Sequence, residues 1–87
     1  MKVSVWDTYV KRGDQKTMHF DILVPNTITN EHAIYEYGRQ YLAKKSFETG
    51  KLTASECRLC HMEEVPLEIE ERILKDGYYI IEMENCH

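Results

Sequence analysis

Residues 16–24, Lys16-Thr17-Met18-His19-Phe20-Asp21-Ile22-Leu23-Val24, place apolar side chains at 18, 20, 22 and 24 and polar ones at 17, 19 and 21. A period of two marks a strand with one buried face. Upstream, Val3-Ser4-Val5-Trp6-Asp7-Thr8-Tyr9-Val10-Lys11 is rich in β-branched and aromatic residues and reads as a partner strand. Arg12-Gly13-Asp14-Gln15 between them has turn chemistry, so the two form a β-hairpin, closed by Pro25 and Asn26.

The register of that hairpin decides what its polar residues do. A two-residue turn at Gly13-Asp14 sets Asp7 opposite Phe20 and Thr8 opposite His19, which buries a carboxylate among Val3, Val5, Met18 and Ile22. A three-residue loop with a bulge instead sets Asp7 opposite Asp21 and Tyr9 opposite His19. Trp6, Thr8 and Val10 then join Met18, Phe20, Ile22 and Val24 on the core face. The second register keeps charge out of the core and is preferred. It gathers Asp7, His19 and Asp21 on the other face, where two carboxylates beside an imidazole can share a proton or hold a cation. These three are the candidate catalytic residues, weighed against an ordinary polar sheet face whose groups bond one another.

A helix follows. Thr29 or Asn30 caps it, Glu31 suits its first turn, and Ile34, Tyr37, Gly38, Tyr41 and Leu42 form its apolar stripe. Tyr37 and Tyr41 then cover the edge of the core and leave Tyr35 exposed. Gly38 on the stripe implies a close approach of the helix backbone to the sheet. Lys44 and Lys45 suit the helix end, before Gly50. Lys51 to Ser55 reads as a connector, and Glu56 to Met62 as a short strand or an irregular knuckle. Pro66 opens a second helix with Ile69, Ile73 and Leu74 on its apolar side, ending near Asp76-Gly77. Tyr78 to Glu84 is the last strand, with Tyr79, Ile81 and Met83 on one face. The expectation is a single α+β domain over residues 1–87: two layers in the order β-β-α-β-α-β, with a mixed sheet of about four strands and two helices on one face. A right-handed crossover would place the last strand parallel to another, the first being the natural partner.

The chain has 87 residues, 43% hydrophobic and 30% charged, the composition of a soluble globule. Fifteen acids against eleven bases give a formal charge of -4, which disfavours binding to nucleic acid by phosphate neutralisation. The charge is uneven: residues 1–55 carry eight bases and six acids, residues 56–87 three bases and nine acids. Such a split can orient a protein partner or a homo-oligomer, or be only a solvated acidic face. Met1-Lys2-Val3-Ser4-Val5 has no apolar targeting region, and no apolar run approaches the roughly 20 residues of a membrane span. A cytoplasmic location is expected, with the three cysteines reduced.

Those cysteines carry the strongest chemical signal. Cys57-x-x-Cys60-His61 sets two thiolates at the spacing of a zinc knuckle, and Cys86, with His61 or His87, would complete a Cys3His set if the tail returned beside it. The competing reading is free thiols, with Cys86 partly buried. Haem attachment lacks a secretion signal, and a thioredoxin-like dithiol would need a helix N-terminus where Met62-Glu63-Glu64-Val65-Pro66 stands.

The runs Asp7-Thr8-Tyr9-Val10-Lys11, Met18-His19-Phe20-Asp21, Glu56-Cys57-Arg58-Leu59-Cys60-His61 and Gly77-Tyr78-Tyr79-Ile80, in that order, resemble a small bacterial family, domain-of-unknown-function family 2024. One departure is the hairpin glycine, which comes early here, at Gly13. The resemblance implies a compact α+β domain with two helices and about four strands, and it implies no activity. No Ser-His-Asp order or Gly-rich phosphate loop is present. The expected function is therefore a non-enzymatic module, stabilised by zinc in one reading of its cysteines, acting through protein contacts or self-association. The alternative is a small enzyme or cation-binding protein using Asp7, His19 and Asp21.

Overall fold

The computed structural model describes residues 1–87. The chain runs through β1 (Lys2–Lys11), β2 (Thr17–Pro25), α1 (Glu31–Ala43), β3 (Cys57–Glu64), α2 (Leu67–Asp76) and β4 (Tyr79–Glu84). The strands form one sheet in the order β3-β1-β2-β4, so the hairpin is its centre and the later strands its edges.

The hairpin loop has three residues. The Gln15 amide donates to the Arg12 carbonyl at 3.1 Å, and the Arg12 amide donates to the Lys16 carbonyl at 2.8 Å. Gln15 takes the left-handed conformation, with φ 75°. That turn sets the bulged register, with Thr8 opposite Phe20, Asp7 opposite Asp21 and Tyr9 opposite His19. Gly13 is not the left-handed residue. Its amide donates to the Glu48 carbonyl at 2.9 Å, and a Cβ there would lie 3.3 Å from the Cβ of Glu48.

Every pairing in the sheet is antiparallel, and β4 lies beside β2, so the sheet is not mixed and β4 does not run beside β1. The two helices also do not share a face. Ile34, Tyr35 and Leu42 of α1 pack with Trp6, Val10, Met18, Phe20, Ile22 and Val24. Ile73 of α2, with Ile69 beside it, packs with Val3, Val5 and Leu23, whose side chains alternate to the opposite face. The physical reason lies at the start of β1 and the end of β2. There Val3 and Val5 face one way and Val24 the other, while the run Ile22-Leu23-Val24 is apolar on both sides. Both faces at that end need cover, and α2 supplies the second.

Within α1, Asn30 is the N-cap and its side chain accepts from the His32 amide at 3.0 Å. Tyr35 is buried, not exposed, and its hydroxyl donates to Glu31 one turn earlier at 3.1 Å. The buried arc is thus rotated toward Tyr35, leaving Tyr37 and Tyr41 half-buried beside it. Gly38 does lie against the sheet, since a Cβ there would meet Leu52 and come within 3.0 Å of Ile22. In α2 only Ile73 is buried and Leu74 points to solvent, while Gly77 ends the helix at φ 91°. On β4, Tyr79 and Ile81 pack under α2 but Met83 is exposed. No helix is long and apolar enough to cross a membrane.

Candidate functional site

Because α2 has ten residues, about 15 Å of helix, it covers only one end of its sheet face. Beyond Val5 and Leu23 the same face turns polar: Asp7, Tyr9 and Lys11 on β1, Thr17, His19 and Asp21 on β2. The register brings the three sequence candidates together. Nε2 of His19 lies 3.0 Å from Oδ1 of Asp7 and 3.9 Å from Oδ1 of Asp21. One ligating atom from each of Asp7, His19 and Asp21 falls within 4.8 Å of the others. Tyr9 stacks on the His19 ring, with centroids 4.2 Å apart and planes 10° from parallel, which fixes the imidazole.

The two carboxylates differ. Asp21 lies beside Ile81 of β4, its side chain only 9% exposed, and Oδ1 has no hydrogen-bond partner. Burial, followed by contact with the Asp7 carboxylate, pushes its pKa up to about 6. Asp7 is more open, and its pKa is held below the ordinary value by hydrogen bonding to His19 and then to Asp21. Near neutral pH the cluster therefore holds two negative charges around one imidazole. A buried carboxylate oxygen with no donor is costly unless something cationic meets it.

The cysteines are not brought together. Cys57 faces the α1 core and accepts from the Thr8 hydroxyl at 3.4 Å. Cys60 is exposed on the other side of β3, at a bulge where the register of β3 on β1 shifts, and its sulfur lies 3.2 Å from Nδ1 of His61. Cys86 is buried at the far edge of the sheet, its thiol donating to the His19 and Glu84 carbonyls at 3.4 and 3.3 Å. The tail is drawn there by Arg12, which donates to the carbonyls of Asn85 and His87 at 2.9 and 2.8 Å. With β1 and β2 between Cys57 and Cys86, one tetrahedral ion cannot take both sulfurs. His87 is exposed beside Glu82.

A cleft of about 770 Å³ opens beside Asp7 and Tyr9. Its far wall is the stretch that reads as a connector. The Gly50 amide donates to the Lys11 carbonyl at 2.7 Å and the Tyr9 amide to the Glu56 carbonyl at 2.9 Å, so residues 50–56 run along the edge of β1 where β3 stops. Leu52 anchors that stretch by burying itself against Gly38. Lys11, Lys51, Ser55 and Arg58 line the cleft, and sequence reasoning did not single them out. The excess of bases over acids in residues 1–55 was a signal for Lys11 and Lys51, while Arg58 lies in the acidic remainder and had none.

The family model described as Domain of unknown function (DUF2024) matches residues 1–83. The chain belongs to this family. The solution NMR structure of protein NE1680 from Nitrosomonas europaea, a structural-genomics target, is 38% identical, covers 100% of both chains and superposes with a TM-score of 0.85. No curated protein matches. Fold alone does not set the chemistry of a DUF2024 member; the residues of its site do.

Proposed function

We propose that this DUF2024 protein binds a divalent transition-metal ion through Asp7, His19 and Asp21. The single observation behind this reading is the unpartnered, buried Oδ1 of Asp21 directed at a carboxylate and an imidazole already within ligand distance of each other. One nitrogen and two carboxylate oxygens suit zinc, manganese or iron, and two negative charges neutralise a dication. Three protein ligands leave coordination positions open. Tyr9, stacked on His19, acts as an outer support that orients the ligating ring. The polar alternative, a sheet face whose groups satisfy one another, leaves Asp21 Oδ1 unexplained.

Titration of chelator-treated protein with Zn2+ or Mn2+, followed by calorimetry and by the His19 ring resonances, tests the reading. One ion per chain is expected, lost in Asp21→Asn and in His19→Gln and kept when Cys57 and Cys60 are both changed to Ser. Affinity should rise with pH through about 6, because Asp21 must release its proton to bind. No binding, or binding that survives His19→Gln and disappears with the cysteines, would overturn it.

Contact with another protein or a second copy is a second reading, favoured by the free edge of β3. Leu59 and Met62 there are 50% and 51% exposed, and the strand pairs only with β1. A light-scattering mass that stays monomeric across concentration would remove self-association.

A further inference from the structure

We infer that the cleft beside Tyr9 is a binding site for a small phosphate-bearing molecule of about nucleotide size. The inference does not require the metal site: Asp7 borders both, but Lys11, Lys51 and Arg58 belong to the cleft alone. Lys11, Lys51 and Arg58 all line it, all are exposed, and none makes an ion pair. Three unneutralised cations around one concavity stand out in a chain of net charge -4.

Two acids, Asp7 and Glu56, share the lining and leave the three cations in excess, and both acids are already engaged. Asp7 is engaged with His19 at 3.0 Å. Glu56 is occupied by its own turn: Oε1 accepts from the Thr53 amide at 2.7 Å and the Thr53 hydroxyl at 2.6 Å, and Oε2 accepts from the Ser55 hydroxyl at 2.6 Å. Those bonds hold its carboxyl below the usual range and fix it as part of the wall. The charged side chains of the lining that have no ion-pair partner are the cationic ones, Lys11, Lys51 and Arg58. The guanidinium of Arg58 offers a planar fork that matches phosphate oxygens, and the two ammonium groups add point charges.

Size and shape fit the same class. A volume of about 770 Å³ falls in the range of small-molecule sites, roughly 300–1,000 Å³. Tyr9 is 49% exposed, lines the cleft, and is stiffened by the stacked His19 ring, so it offers a flat apolar surface to a sugar or base attached to the phosphate. The wall does not drift, since Leu52 holds it in the core and backbone hydrogen bonds hold it to β1.

The test uses the full chain, with chelator present, at low ionic strength. Adenosine monophosphate, inorganic phosphate and adenosine are titrated separately while backbone amide resonances are followed. Adenosine monophosphate should shift the amides of Lys51, Ser55 and Arg58, and inorganic phosphate should compete with it. Arg58→Gln and Lys51→Gln should each weaken it about tenfold, the loss of one charge-assisted contact, whereas Lys75→Gln, away from the cleft, should not. Lys51 is exposed on the connector, so its variant keeps the test valid if Arg58→Gln alters the edge strand. Absence of binding by both phosphates, binding of adenosine as tight as that of the monophosphate, or binding unchanged in both variants would overturn the inference. Metal titration of a separate, chelator-free sample reads the Asp7–His19–Asp21 site, so either result can fail alone.

Discussion

Replacing Asp21 with Asn should make the metal-free protein more stable at neutral pH and leave it nearly unchanged near pH 4. The carboxyl of Asp21 titrates near 3.8 in an open chain and at about 6 in the fold. A raised pKa means that the folded chain holds this proton more tightly than the unfolded one. Stability from the protonated form is therefore full below pH 3.8, falls as pH rises through the interval up to about 6, and is absent above it. At about 1.4 kcal/mol per pKa unit, ionised Asp21 costs the fold on the order of 2–3 kcal/mol at pH 7.5. Asn cannot ionise and retains the shape, so most of that cost should disappear, raising the melting temperature by about 10 °C in a domain of this size. Asp7 works in the opposite sense: its depressed pKa gives stability above the ordinary carboxylate range that is lost on acidification. The difference between wild type and Asp21→Asn over pH 4–6 thus reports the buried carboxyl together with its contact to Asp7. Urea unfolding followed by circular dichroism at pH 4, 5, 6 and 7.5 measures it. A variant no more stable than wild type at pH 7.5, or a difference that does not vary with pH, would refute the argument.

Two further outcomes follow from packing. Leu52→Ala removes a side chain that is 2% exposed and seated on Gly38, so it should cost about 2–4 kcal/mol in urea unfolding; a loss under 1 kcal/mol would mean that the connector is not anchored as described. Among the three free cysteines, only Cys60 should react quickly with a thiol reagent in native buffer, because Cys57 and Cys86 are buried and burial pushes the Cys57 thiol up. Release of three equivalents at one rate before denaturant is added would contradict that placement.

The part of the site legible in sequence is the part that register controls. Putting Asp7 against Phe20 would bury a charge, so the pattern alone favours the pairing that gathers Asp7, His19 and Asp21, and the Gln15 turn realises it. The disposition of the helices was less legible. The run Ile22-Leu23-Val24 signals cover on both faces, but the clean alternation before it suggests a single buried face. Tyr35 escaped for a similar reason: a tyrosine can be buried wherever its hydroxyl finds a partner, and Glu31 one helical turn away provides it. The cysteine spacing suggested a common ion, yet the tail is placed by the Arg12 contacts to Asn85 and His87, which no local pattern reveals. The cleft wall is held by main-chain bonds to β1, and these leave no side-chain signature either.

The uneven cover of one sheet face ties the fold to the site. β1 spans about 33 Å, roughly twice the length of α2, so a single short helix on that face must leave half of it open. An open half needs only a polar surface, and threonine, serine or lysine would serve at no cost. Instead the boundary row holds Asp21, buried and paired in register with Ile81 of the covered half, with an oxygen that meets no donor. In a domain whose whole stability is on the order of 5–10 kcal/mol, an ionised carboxylate costing about 2–3 kcal/mol is a large local conflict. Such a conflict persists where the group has another use, and a carboxylate held beside a second carboxylate and an oriented imidazole is preorganised for a cation.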